Sequence, residues 1–232
     1  MLSITILFSA CTVEQEFVLE SEYSGVWILE GRPMPFADYV LEDLAILGGY
    51  GDSDALYDEA ISKTMAGLDE HKDIDNYKID RVGKNGLKAN VEFKDIRLLL
   101  GDAALGGIAD IYQDGDIHIL SFRFDRARAA ELEKMFPIIK EPAFSLLNPA
   151  TSEGFSEEEY TTEILGFTFG EENLPELRQA MLVLSIIVPG KVLEVEGGIK
   201  SSEHSARFEV PFTRLLVPEK ELLWRVSWSS QP

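Results

Sequence analysis

The sequence predicts an α+β fold: a predominantly antiparallel sheet of hairpins with several helices packed on one side. Three observations predict it. Apolar and polar residues alternate at both ends of the chain, apolar residues recur at helical spacing between positions 36 and 69, and turn signals separate the alternating runs. At 232 residues, with 45% hydrophobic and 27% charged residues, the chain is long and apolar enough to bury a core without disulfides or metal.

The elements follow in order. Val13, Gln15, Phe17 and Leu19 fall on one side of a strand and Glu14, Glu16 and Val18 on the other. Ser21 to Gly25 reads as a turn, and Val26 to Leu29 as the returning strand. Arg32-Pro33-Met34-Pro35 punctuates, because proline removes a donor and turns its predecessor away from helix. Phe36, Val40, Leu44 and Leu47 then predict a helix that stops at Gly48-Gly49. A second helix starts near Ser53 and Asp54, with Leu56, Ala60, Ile61, Met65 and Leu68 as its apolar stripe. The polar stretch Asp69 to Asn76 reads as a loop.

Tyr77 to Val82 and Leu87 to Phe93 form a hairpin around Asn85-Gly86, and Ile108 to Phe124 form another around Asp114-Gly115. Asp125 is placed to cap a helix running to Phe136, which Pro137 ends. Ser156 and Glu159 have the spacing of a capping box, whereas Phe167-Thr168-Phe169 looks extended. Met181 to Val188 is apolar throughout, as in a central strand, and Pro189-Gly190 interrupts it before Lys191 to Glu196 resumes. After the Gly197-Gly198 turn, Ala206 to Phe212 and Leu222 to Trp228 supply the last strands. A single antiparallel sheet with helices against it is the simplest arrangement.

Charge and cysteine content exclude several functions. The 21 Lys and Arg against 41 Asp and Glu give a net charge of -20, which argues against nucleic-acid binding and against a polybasic membrane contact. One Cys excludes an internal disulfide and any multi-cysteine metal site. That residue, Cys11, follows the apolar, uncharged run Met1 to Ala10, which is too short to span a bilayer but matches the end of a signal peptide. The run Leu7-Phe8-Ser9-Ala10-Cys11 resembles the lipobox of bacterial lipoproteins, whose cysteine is lipidated and becomes the first mature residue. Phe8 stands where Leu is usual, and the basic segment that normally precedes such a run is missing, as a start codon placed too far downstream would produce. The division expected is a signal remnant over 1–10 and one lipoprotein domain over 11–232, with a helical insertion at 36–69. If residues 2–9 instead form a first strand, Cys11 is a core thiol.

The stretch Ser185-Ile186-Ile187-Val188-Pro189-Gly190-Lys191-Val192, the Gly197-Gly198 turn and a strand ending in Trp228 resemble the carboxyl-terminal half of LppM-type bacterial lipoproteins. In that family a long strand breaks at Pro-Gly, reaches a small-residue turn and returns on two further strands. Cysteine, strand, turn at Gly25, strand and helices repeat the family's amino-terminal layout, so the resemblance extends from Cys11 to Trp228. Its specific part covers about 45 residues, from Leu184 onward, and Glu196-Gly197 stands where an Asn-Gly type turn is more usual. The resemblance implies an envelope-anchored α+β domain and supplies no catalytic residues.

Local motifs nominate no reaction. Gly51-Asp52-Ser53-Asp54-Ala55 falls short of the nucleophile elbow, which needs a strand before the serine and glycine after it, so Ser53 reads as a helix cap. His71, His118 and His204 are far apart, with no pair at ligand spacing. Asp69, Asp73 and Asp75 begin like a calcium loop, but Lys78 occupies the position that requires glycine. Gly48-Gly49-Tyr50-Gly51 lacks the Lys-Ser or Lys-Thr of a phosphate loop.

The expectation is therefore a non-enzymatic module of the bacterial cell envelope, without cofactor or metal. The lipid on Cys11 tethers it to the membrane, and it binds a protein partner or serves a structural role. An alternative is a carrier or sensor of an apolar ligand such as lipid, with Phe36, Phe93, Phe122, Phe208 and Trp224 lining a cleft. A hydrolase would require Ser53 or another hydroxyl within reach of a histidine.

Overall fold

A computed structural model describes residues 10–21, 23–33, 39, 42–43, 45–46, 48–69, 72–84, 86–97, 108–129 and 149–229. The strands are β1 (Ala10–Leu19), β2 (Gly25–Pro33), β3 (Ile74–Val82), β4 (Gly86–Phe93), β5 (Ala109–Asp114), β6 (Ile117–Phe124), β7 (Met181–Ile187), β8 (Val192–Glu196), β9 (Ile199–Lys200), β10 (Ser205–Pro211) and β11 (Leu222–Ser229). Among the helices, α1 (Ser53–Asp69) is the long one, followed by the short α2 (Glu157–Glu159), α3 (Gly166–Phe169), α4 (Leu174–Gln179) and α5 (Phe212–Leu216).

The α+β class stands, but the strands form two sheets rather than one. A seven-stranded sheet has the order β3-β4-β2-β1-β7-β10-β9, and a four-stranded sheet the order β5-β6-β11-β8. All pairs are antiparallel except β1 with β7, which run parallel from Thr12↔Met181 to Val18↔Ile187. That pairing sets the first strand beside one about 170 residues later, in the middle of the larger sheet.

The sheets are linked where the sequence breaks its apolar run. β7 belongs to the larger sheet and β8 to the smaller, so the chain changes sheets at Pro189-Gly190. Gly190 is required there because a Cβ would overlap the Ser229 carbonyl oxygen of β11. Gly197, at φ 76°, turns the chain back, and a Cβ there would overlap the Leu223 carbonyl. The expected hairpin is thus a corner that staples one sheet to the other.

Alternation sets what each face buries. Phe17, Leu19, Phe93, Leu184, Ile186, Ala206 and Phe208 of the large sheet meet Ala109, Leu120, Val192, Val226 and Trp228 of the small one in a single inter-sheet core. Beside it, Ile61 of α1 packs with Leu29, Leu87 and Ala89. A third cluster joins Leu56 and Tyr57 of α1 to Tyr160, Leu165, Leu174, Leu177, Phe212 and Leu216.

Local expectations need four adjustments. The α1 cap is Asp52, whose carboxylate accepts from Ala55 N at 2.8 Å, one residue ahead of Ser53. Met65 is exposed, and Tyr57 and Thr64 take the inward places instead. β3 starts at Ile74, inside the stretch read as loop, because its ladder with β4 extends to Ile74↔Phe93. Phe167-Thr168-Phe169 is helical, since a π turn (Tyr160–Leu165) continues the Ser156–Glu159 capping box directly into α3. Of the helix expected over 36–47, residues 39, 42, 43, 45 and 46 are helical and the others lie outside the described residues. Residues 126–129 are helical, with Asp125 accepting from Arg128 N at 2.8 Å, and 130–148 lie outside the described residues.

Candidate functional site

Two places carry the functional expectations, the start of β1 and the aromatic core between the sheets. On β1, Ala10 pairs with Pro33 and Thr12 with Arg32, so Cys11 is the extra residue of a bulge. From Thr12 onward β1 is paired without interruption, to β2 on one side and β7 on the other. Cys11 thus lies within β1, with no linker between it and the ladder that starts at Thr12.

Four of the five aromatic residues expected to line an apolar cleft come together. Phe93 (2% exposed) and Phe208 (1% exposed) sit in the inter-sheet core, and the half-buried Phe122 and Trp224 pack against it. Phe36 lies outside the described residues. Sequence reading missed Trp27, which stacks on Phe17 with ring centroids 5.4 Å apart and planes 3° apart. Its indole N–H is buried and meets no acceptor among the described residues. Trp27 shares the Phe17 side of the sheet through the register Phe17↔Trp27, a placement that needs the hairpin register to be known. Gln15, on the same apolar face and opposite Leu29 and Leu184, is only half-buried.

The titratable groups are dispersed. His118 lies in the core, stacked on Trp228, while His204 Nδ1 is 2.7 Å from the Gly190 carbonyl and holds the 201–205 turn against the sheet corner. His71 lies outside the described residues. Ser53 occupies the first turn of α1, its backbone N donating to Glu42 Oε2 at 3.2 Å. Asp69 ends α1, Asp73 lies in a turn, and Asp75 and Lys78 lie in β3, so the calcium-loop spacing is split over three elements. A depression of about 420 Å³ opens there, lined by Met65, Leu68, Asp69, Ile74 and Tyr77. Tyr77 donates its hydroxyl to Asp69 Oδ1 at 2.7 Å, and that bond raises the phenol pKa above its ordinary value. Among the described residues, no group of three or more His, Cys, Asp and Glu side chains is arranged to hold a metal ion, and no helix is long and apolar enough to cross a membrane.

These features define an α+β protein of two packed sheets flanked by helices. Its structure is similar to the NMR structure of the folded domain of LppM from Mycobacterium tuberculosis, at 10% identity over 97% of this chain and 92% of that one, with a TM-score of 0.43. That protein is of the family that the Pro189-Gly190 segment resembles. No protein-family model and no curated protein matches the chain.

Proposed function

We propose that this protein is a lipoprotein of the bacterial cell envelope, tethered through a lipidated Cys11 and acting as a non-enzymatic binding or structural module. The observation that carries the reading is the bulge at Cys11. Among the described residues, a chain cut before Cys11 loses the pair Ala10↔Pro33 and keeps the whole ladder from Thr12. A tether on Cys11 would then hold the sheet directly at the bilayer. Each buried methylene of an acyl chain contributes about 0.8 kcal/mol, so two or three chains suffice for stable attachment. A net charge of -20 offers an anionic surface no attraction of its own, which leaves attachment to the lipid.

Mass spectrometry of the N-terminal peptide from the native host tests this. A diacylated or triacylated Cys11 is the expected result, together with loss of membrane partitioning in Cys11→Ser. An unmodified thiol in a chain that retains Met1 sinks the proposal.

A second reading, a carrier or sensor of an apolar ligand, is favoured by the half-buried Trp27, Phe122 and Trp224 around the inter-sheet core and by the indole N–H of Trp27, which meets no acceptor among the described residues. Native mass spectrometry of the purified protein separates the two readings. Co-purified lipid supports the carrier, and a ligand-free protein supports the plain binding module.

A further inference from the structure

The side of the large sheet turned away from the small sheet and α1 carries a pattern of acidic and apolar residues. Register places its side chains in three rows. The first runs Asp80, Lys88, Glu30, Glu14, Val183, Glu209. Below it lies Lys78, Asn90, Ile28, Glu16, Ser185, Arg207, and the third row is Asn76, Glu92, Val26, Val18, Ile187, Ser205. Apart from Val183, every one of these residues is exposed or half-buried.

The three cations of these rows are engaged by acids within them: Lys78 with Asp80 at 2.6 Å, Lys88 with Glu30 at 3.5 Å and Arg207 with Glu209 at 2.7 Å. Glu14, Glu16 and Glu92 have no ion-pair partner among the described residues. Glu14 also stands directly opposite Glu30 across β1 and β2, an arrangement that destabilises a sheet. Between these carboxylates lie Val18, Val26, Ile28 and Ile187, contiguous on three neighbouring strands about 5 Å apart. A half-buried apolar patch rimmed by carboxylates that have no ion-pair partner among the described residues has the composition of an interaction surface.

We infer that this face docks a cationic amphipathic polypeptide segment, in which apolar side chains cover Val18, Val26 and Ile28 while Lys or Arg side chains reach Glu14, Glu16 and Glu92. Charge complementarity selects that occupant. A second copy would set the same carboxylates against each other about a two-fold axis, and an anionic lipid surface would meet them with like charge. The inference rests on the binding-module part of the proposed function and is independent of the lipid, so acylated Cys11 with no docking would sink this inference alone.

The test is an NMR titration of the full chain with three synthetic peptides, alternating Lys/Val, Lys/Ser and Glu/Val. Binding of the Lys/Val peptide is expected, with shift changes concentrated at 14–18, 26–30 and 185–187. Glu14→Lys with Glu16→Lys weakens that binding about tenfold, whereas Glu171→Lys with Glu172→Lys, an equal charge change at exposed positions elsewhere, leaves it within about twofold. Glu14→Lys replaces a like-charge pair by an opposite one, so this variant folds at least as well as the parent. The inference is overturned by equal binding of Lys/Ser and Lys/Val, by equal losses in both charge variants, by shifts lying elsewhere, by no binding at all, or by concentration-dependent self-association through this face.

Discussion

Trp228 and His118 face each other across the β6–β11 ladder with ring centroids 5.3 Å apart, planes within 18° and 0% exposure of either residue. Tyr23 meets the imidazole edge-on at 5.9 Å, and the Arg97 guanidinium lies 3.6 Å from the Tyr23 ring centroid. A continuous stack thus runs from the exposed Arg97 to the middle of the inter-sheet core. Trp228→Ala is expected to lower stability by about 3–5 kcal/mol through the cavity it leaves. Trp228→Phe costs markedly less, because it keeps most of the ring and removes an indole N–H that meets no acceptor among the described residues. Urea unfolding of both variants checks the order, and equal losses would contradict it.

Gly190→Ala tests the sheet corner. The new methyl group collides with backbone at the Ser229 carbonyl, not with a side chain that can rotate away. A loss of about 3 kcal/mol is expected from forced separation of β8 and β11. Hydrogen exchange at Val192 to Glu196 should accelerate before exchange in β1 or β4 does.

Glu159 supplies a pH dependence. Its carboxylate accepts from the Ser156 hydroxyl at 2.7 Å and from Ser156 N at 2.9 Å, and these bonds hold its pKa below the ordinary glutamate value. A carboxyl depressed in the folded state stabilises the fold above the unfolded-state pKa, and that contribution is lost as pH falls through the folded value. Carbon-detected NMR titration should show Glu159 titrating below the ordinary glutamate value and returning toward it in Ser156→Ala. The same variant should lose about 1 kcal/mol as the cap is removed.

Asp52 and Ser53 distinguish a cap from a nucleophile candidate. Asp52→Ala removes the acceptor for Ala55 N and is expected to cost about 1 kcal/mol. Ser53→Ala leaves that bond intact and costs less. Thermal unfolding of the pair decides, and a larger loss at Ser53 would return the cap to the position that the sequence suggests.

The strands were legible wherever one face is buried and the other wet. Leu87, Ala89, Val91 and Phe93 alternate with Lys88, Asn90 and Glu92 because β4 turns the first set toward α1 and the inter-sheet core. Helix positions were legible where the stripe is apolar, as at Leu56 and Ala60. They were illegible at Phe167, whose 90% exposure gives no periodic signal and whose helix continues through a π turn rather than a regular one. Phe93, Phe122, Phe208 and Trp224 were legible as large apolar residues of alternating strands, but their meeting with Trp27 was not, because a row of residues says nothing about what lies across the next strand.

By itself the sequence determined the acidic composition, the lone cysteine behind an apolar run, the hairpins and the small-residue breaks at Pro189-Gly190 and Gly197-Gly198. All of these are local properties, set by composition, side-chain period and backbone sterics. Tertiary structure alone decided that β1 lies parallel to β7, that the chain changes sheets at Gly190 and that Glu92, Val26 and Ile28 join Glu14, Glu16 and Val18 on one face. Pairing between strands about 170 residues apart depends on the free energy of burying whole faces together, and no short window of sequence contains both partners.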